Sequence, residues 1–336
     1  MKVVIPLAGL GKRMRPHTHS KAKPMVRLAG RPILGHLLEW VVESQADAVD
    51  EVILIISPHQ TDVEAYAKTA TTRPLRMVVQ DQPRGQADAI ARVKPFADQP
   101  ILIVFSDTLA DVTFDHLKST DADGLIYVKE IADPSRMGII AVEDGRIVDM
   151  IEKPQHPVSN LATIGLYYFA DHVGLFSAID RVLAAPPKLG GEFYLADAIK
   201  TMIEDGKLLR PYVATAWEDT GTPEATLHAH RFLLESSGGH AKPRDGVTFI
   251  PPVYVADDAV VTQSVIGPYV TVESGCRVER SVLSDTILAP DVSVTNQILE
   301  RASIGERASI VGTPLSANVG DDSTLGPPSQ DDLPEL

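Results

Sequence analysis

The chain has almost none of the residues that would staple or anchor it. One of its 336 residues is cysteine, Cys276, so no internal disulfide can form. No Cys/His cluster has zinc spacing, and a stapled secreted scaffold is excluded. No apolar run approaches the ~20 residues of a membrane span. No signal-peptide pattern opens the sequence, because Met1-Lys2-Val3-Val4-Ile5 runs straight into Pro6 and Gly9. Basic residues are in deficit: 31 against 45 acidic side chains give a formal charge of −14. That balance argues against a nucleic-acid partner, whose phosphates need basic surface to displace their counterions. A cytoplasmic protein with neither membrane nor nucleic acid among its partners is expected. Its 44% hydrophobic content is ordinary for packed cores, and the length allows one large domain or two smaller ones.

Short β-branched runs recur at 3–6, 51–56, 75–80, 100–105, 124–130, 138–142 and 164–169. Between them lie stretches of helical period. Over 32–46, Ile33, Leu37, Leu38, Val41 and Val42 share one face, with Pro32 suited to a first turn. The stretches 84–97, 171–184, 192–205 and 223–236 read the same way. Strand alternating with helix predicts an α/β fold with a largely parallel sheet covered on both faces.

The pattern changes after Ser236-Ser237-Gly238-Gly239, where 236–246 reads as a linker. Val255 and Val261 are followed by Val272 and Val278, Leu288 and Val294, then Ile304 and Ile310. Each pair is 6 apart, and successive pairs are offset by 17, 16 and 16. A second row, Val265-Ile266, Val282-Leu283 and Ile298-Leu299, falls between them. Apolar residues at every sixth position resemble the hexapeptide repeat of a left-handed parallel β-helix, predicted over 247–312. Ordinary antiparallel strands are the alternative, but the regular offset favours the solenoid. The stretch 313–336 is rich in Pro, Asp, Ser and Gly, with few apolar residues, and is expected to be disordered.

The first chemical candidate is Leu7-Ala8-Gly9-Leu10-Gly11-Lys12-Arg13, directly after the first run. A glycine-rich turn there lets backbone N–H groups approach phosphates. It is not a Walker A loop, since no Ser or Thr follows Lys12, and Met14 occupies the third glycine position of a dinucleotide fingerprint. Alone, Gly-x-Gly reads equally well as a tight turn. It continues, however, as G-x-G-x-R-x-x-P-x-T-x-x-K-x-K-P through Arg13, Pro16, Thr18, Lys21, Lys23 and Pro24. Lys12, Arg13, Arg15, Lys21 and Lys23 gather charge that a triphosphate requires.

This segment resembles the signature of the sugar-1-phosphate nucleotidylyltransferases. The resemblance runs over 1–235 and is nearest to the long-form glucose-1-phosphate thymidylyltransferases, which carry a C-terminal extension. It implies a Rossmann-like mixed, mostly parallel sheet followed by a short left-handed β-helix. It also implies that Leu7, Ala8, Gly9, Gly11 and Arg13 hold nucleotide phosphates, with Lys23 as the signature lysine. Gln80 and Gly85 match the base-recognition segment, and a Gln amide suits the N3–H and a carbonyl of thymine or uracil. Asp107, ending an apolar strand where ligands bind in open α/β sheets, and Asp219 of Trp217-Glu218-Asp219-Thr220-Gly221 would hold Mg²⁺. Ser106 and Thr108 replace the family's glycine and a frequent Asn that touches the sugar. Gly138, Glu152, Lys153 and Thr163 would bind the sugar phosphate, with Ser135-Arg136-Met137 leading into them. Glu192 opens a helix and reads as mainly structural.

The expected reaction joins a nucleoside triphosphate and a sugar 1-phosphate, with Arg13, Lys23, Asp107, Lys153 and Asp219 carrying the chemistry. dTTP with glucose 1-phosphate is the preferred pair and UTP the alternative. A non-catalytic sugar-nucleotide sensor is the alternative of another class. An acyltransferase solenoid is disfavoured, because the last histidine, His240, precedes the repeats. The solenoid is expected to serve assembly or allostery, and a homo-oligomer is expected through it, the catalytic domain or both.

Overall fold

The computed structural model describes residues 1–135, 137–156, 158–187 and 191–313. The expected acidic tail beyond Thr313, and Arg136, lie outside them. A nine-stranded mixed sheet forms the N-terminal part. At its centre, Ile101–Val104, Lys2–Pro6, Glu51–Ile56 and Leu75–Val79 run parallel in that order. The first three are buried almost throughout, as strands covered on both faces must be. Leu161–Phe169 joins antiparallel beside Ile101–Val104 and continues the sheet to Gly138–Glu143, Arg146–Glu152 and Gly124–Glu130.

The predicted helices shorten where backbone chemistry intervenes. The 84–97 stretch splits into Gln86–Ala91 and a 3-10 turn, Lys94–Phe96, around Pro95, which lacks the N–H a continuing helix needs. The 192–205 helix starts at Leu195. The helix Thr61–Ala70 was not expected, because only Val63 and Ala67 of its face are buried.

From Val247 onward the strands pair only in parallel. The register runs Val255 to Val272 to Leu288 to Ile304, and Val261 to Val278 to Val294 to Ile310. These are the ladders read from the sequence, and the coil is a β-helix. Val255, Val261, Val272, Val278, Leu288 and Val294 fill its interior. Residues of the expected linker dock on the first coil, with His240 N–H donating to the Val253 carbonyl at 2.7 Å.

One face of the coil lies against the N-terminal part. Ile287 packs with Leu28, Ile33, Leu227 and Leu233, and Tyr254 fills the space over Gly30. Arg231, on the helix Pro223–Ser237, pairs with Asp285. His230 on the same helix is fully buried, its Nε2 2.8 Å from the Thr271 hydroxyl. Burial holds the imidazole neutral, lowering its pKa to about 4. The unfolded chain takes up a proton near the ordinary value of 6.5 that the folded chain refuses. Stability is therefore full above pH 6.5 and is lost as pH falls towards about 4. Denaturant titrations across that window should show the fall, and His230→Gln should flatten it.

Candidate active site

The base of the glycine-rich turn is fixed from two sides. Leu7 N–H donates to the Ile55 carbonyl at 2.7 Å, and Gln60 Nε2 donates to the Leu7 carbonyl at 2.8 Å. Beyond it, the backbone N–H groups of Ala8, Gly9, Leu10, Gly11 and Lys12 donate to nothing among the described residues. All five residues line a cavity of about 520 Å³. Gly11 adopts a left-handed φ of 57°, where a side chain is strained, and a Cβ there would stand 3.1 Å from that of Lys23. Consecutive free N–H groups on a turn form an anion cradle.

Asp107 faces the cradle from the carboxyl end of Ile101–Val104. Lys23 Nζ lies 3.1 Å and Arg13 Nη2 3.8 Å from its Oδ2. Asp219 is brought alongside by the pairing of Ala216–Asp219 with Thr108–Asp111, which sets Asp219 opposite Thr108. Thr220 N–H donates to the Asp107 carbonyl at 3.0 Å, and Gly221 N–H donates to Asp219 Oδ1 at 2.8 Å. Burial would raise the Asp107 carboxyl, but Lys23 and Arg13 hold it below the usual range. Burial and the Asp107 charge push Asp219 up. Two repelling carboxylates beside a phosphate cradle suit a hard divalent cation, which takes the rest of its shell from phosphate and water. Among the described residues no group of three or more His, Cys, Asp or Glu could hold a metal, so the chain supplies only part of such a shell.

At the other end of the cavity, Gln80 is 4% exposed. Its Nε2 donates to Asp88 Oδ2 at 2.9 Å and to the Gly85 carbonyl at 3.3 Å. Both amide protons are thus committed, and Oε1, with no hydrogen bond among the described residues, is left to accept. Asp88 is flanked by Arg84 and Arg92 at 3.8 and 3.5 Å. Gly85, at φ 112°, passes so close to Phe193 that a Cβ would lie 2.5 Å from its backbone N and O. No other residue fits there.

Gly138, Glu152 and Thr163 form an adjoining group outside the lining of that cavity. A Cβ on Gly138 would meet Thr163 Oγ1 at 2.9 Å and Glu152 Oε2 at 3.1 Å. Tyr167, whose hydroxyl is 3.2 Å from Thr163 Oγ1, packs its ring, tilted by 59°, 5.4 Å from that of Phe105, a cavity residue. Burial raises the Glu152 carboxyl against the pull of Lys153. Lys153 Nζ is 3.6 Å from Glu152 and 4.9 Å from the Tyr194 ring centre.

Three further residues take positions that the sequence did not specify. Lys21 does not reach the cavity, because Glu306 of the β-helix takes it. Thr108, which stands where the family often has an Asn, is 2% exposed and donates its hydroxyl to the Ile164 carbonyl. Glu192 lies before the helix it was expected to open and lines the cavity. Sequence reasoning missed Gln86 and Phe105 as lining residues and Asp88 as the partner of Gln80. Asp88, one helical turn from both Arg84 and Arg92, carried the only signal that could have drawn notice.

Residues 2–236 match the family model described as nucleotidyl transferase. The bifunctional protein GlmU of Methanocaldococcus jannaschii is 31% identical over 237 residues, which are 70% of this chain and 55% of that protein. The match thus spans about half of that relative's length. Glucose-1-phosphate thymidylyltransferase of Streptomyces antibioticus is 27% identical over 344 residues, covering 92% of this chain and 93% of its own. A crystal structure of UDP-glucose pyrophosphorylase complexed with UDP-glucose superposes with a TM-score of 0.60 at 21% identity, over 70% of this chain and 98% of its own. That likeness speaks for the fold alone.

The strain between the two carboxylates has a measurable consequence. Asp219→Asn keeps an oxygen for Gly221 N–H but removes the charge that Asp107 repels. In metal-free buffer at pH 7.5 it should melt higher than the unsubstituted protein. The gap should close as pH falls through the carboxylate range, where protonation of Asp219 relieves the same repulsion.

Proposed function

Because the chain belongs to the nucleotidyl transferase family, we propose that it transfers a nucleotidyl group from a nucleoside triphosphate to a sugar 1-phosphate. The products are a nucleoside-diphosphate sugar and pyrophosphate. The observation that carries this reading is the cradle of free N–H groups closed by Arg13, Lys23 and Asp107 in one cavity. Residues 1–235 are read as the catalytic unit, and 247–312 as the solenoid that supports it.

A phosphate monoester has a second pKa of about 6, so the sugar 1-phosphate is largely dianionic at neutral pH and needs no protein nucleophile or base. Its oxygen attacks the α-phosphorus. The new P–O bond forms as the α–β bridge breaks, and the electron pair leaves with pyrophosphate. The cradle and Arg13 hold the triphosphate, while Lys23 offsets repulsion between the two anions. Gly138, Glu152 and Thr163 would receive the sugar, with Lys153 beside its phosphate. Asp107 and Asp219 would hold Mg²⁺, which supplies further charge neutralisation when bound.

Gln80 supports a base with an imide N–H, since its amide offers only an acceptor. Thymine and uracil present one at N3; adenine and cytosine carry a bare ring nitrogen at the corresponding edge position and can offer only an exocyclic amino group. The Streptomyces antibioticus relative, matched over nearly its full length, favours dTTP and glucose 1-phosphate. UTP is the second reading, since one methyl in an apolar pocket is worth only about 1–3 kcal/mol. A homo-oligomer through the β-helix has support in the outward ladder Val265, Val282, Ile298, whose last member is 79% exposed.

A matrix of triphosphates against hexose 1-phosphates, read by pyrophosphate release with Mg²⁺ and with excess EDTA, tests the assignment. Turnover should appear with dTTP and UTP, and be lower with CTP or ATP, which set a bare ring nitrogen against the Gln80 acceptor. Arg13→Ala and Asp107→Ala should each lose on the order of 10² or more in kcat, with circular dichroism unchanged. Release from no pair, or near-normal turnover in either variant, would sink the assignment.

A further inference from the structure

The segment carrying Lys23 is gripped from behind by the β-helix. Lys21 and Arg27 bracket that segment, and each ends on a carboxylate of the solenoid. Lys21 pairs with Glu306, and Arg27 Nε lies 2.7 Å from Glu273 Oε2. Both contacts are sheltered: side-chain exposure is 14% for Lys21, 23% for Glu306 and 1% for Glu273. Arg27 Nη2 also donates to the Gly30 carbonyl at 2.6 Å, tying the turn of the hairpin that follows. Glu306 pairs in addition with Arg307 at 2.9 Å.

The two carboxylates belong to one corner of the coil. Val272, Leu288 and Ile304 are in register; Glu273 follows the first of these directly, and Glu306 lies two past the last. They stand two turns apart, ~10 Å at the ~4.8 Å spacing of neighbouring strands. The turn between them offers Ala289 and Pro290, neither charged. Two anionic grips with a neutral gap therefore meet two cations on either side of Lys23-Pro24-Met25.

That stretch has few other polar ties. The N–H groups of Ser20, Lys21 and Ala22 donate no hydrogen bond among the described residues. Two positions beyond Lys21, Lys23 reaches Asp107, and its Cβ faces the space over Gly11. Thr18, just before, donates its hydroxyl to the Gly11 carbonyl at 2.8 Å. A displaced strap would carry with it both the lysine and the turn that presents the cradle.

We propose that Glu306 and Glu273 are positioning residues for nucleotidyl transfer: through Lys21 and Arg27 the β-helix sets the phosphate-binding loop in register with Asp107. Lys21 then acts as an anchor whose charge is neutralised, not as a ligand of the triphosphate. The inference rests on the proposed activity for its kinetic arm and on the chain alone for its second arm.

The full-length protein tests it. Glu306→Gln and Lys21→Gln should each lose about tenfold or more in kcat, since a misplacement of ~1 Å can cost on the order of 10². The swap Lys21→Glu with Glu306→Lys should recover most of that loss. Arg231→Gln breaks the neighbouring pair with Asp285 without touching the strap. It should lower the melting temperature and leave kcat in place. In the absence of substrate, amides of residues 11–25 should exchange hydrogen faster in Glu306→Gln and return towards the starting rate in the swap. Normal kcat and exchange in both single variants overturn the proposal, as does an Arg231→Gln enzyme equally slowed, or a swap with no recovery. If the unsubstituted chain releases no pyrophosphate with any pair, the activity reading falls by itself. The exchange arm still decides: faster exchange supports the anchoring, and unchanged exchange overturns it.

Discussion

The proposed reaction brings two polyanions into contact, an electrostatic problem that a chain of net charge −14 must solve locally. The solution is the ion cluster at the end of Ile101–Val104, where Lys23 and Arg13 converge on Asp107 with Asp219 beside it. Its four members arrive from three parts of the fold. Arg13 and Lys23 come from the loop after the first strand, Asp107 from the central strand, and Asp219 from a two-stranded extension. The parallel centre of the sheet is what permits this, because it delivers successive loops to the same edge. Partial burial strengthens the Lys23–Asp107 pair in particular, since charges sheltered from water act on one another more strongly than surface charges do.

Acidic composition and phosphate chemistry are compatible here because charge is sorted by place. Cations of the signature loop that line the cavity, Lys12, Arg13 and Lys23, face the cradle. Lys21, close to them in sequence, is discharged against Glu306. An acidic exterior thus does not weaken the site. Part of it is used to fix which basic residues reach the ligand and which hold the frame.

What could be read from the sequence was set by how locally each feature is determined. The ladders from Val255 and Val261 were legible to the residue, because a coil must return an apolar side chain inward at a fixed interval. Gly9, Gly11, Arg13 and Lys23 were legible because a phosphate loop needs those residue types in a compact run. Thr61–Ala70 escaped notice because its apolar face holds only two buried residues. Lys21 was misread for a different reason: its partner, Glu306, lies 285 positions away. Asp88 was passed over although it settles which end of the Gln80 amide meets a ligand. Spacing reveals a pattern, but a long-range partner decides what a polar side chain is free to do.

The shared corner of Glu273 and Glu306 makes the solenoid a ruler. A β-helix can ordinarily gain or lose a turn at little cost, since each turn contacts only its neighbours. Here one extra turn between the two carboxylates would carry Glu306 ~4.8 Å along the axis, beyond the reach of Lys21, and one fewer would bring the grips too close for cations six residues apart. The number of turns between them is therefore tied to the length of a loop more than 200 residues upstream, and neither can drift in length without the other.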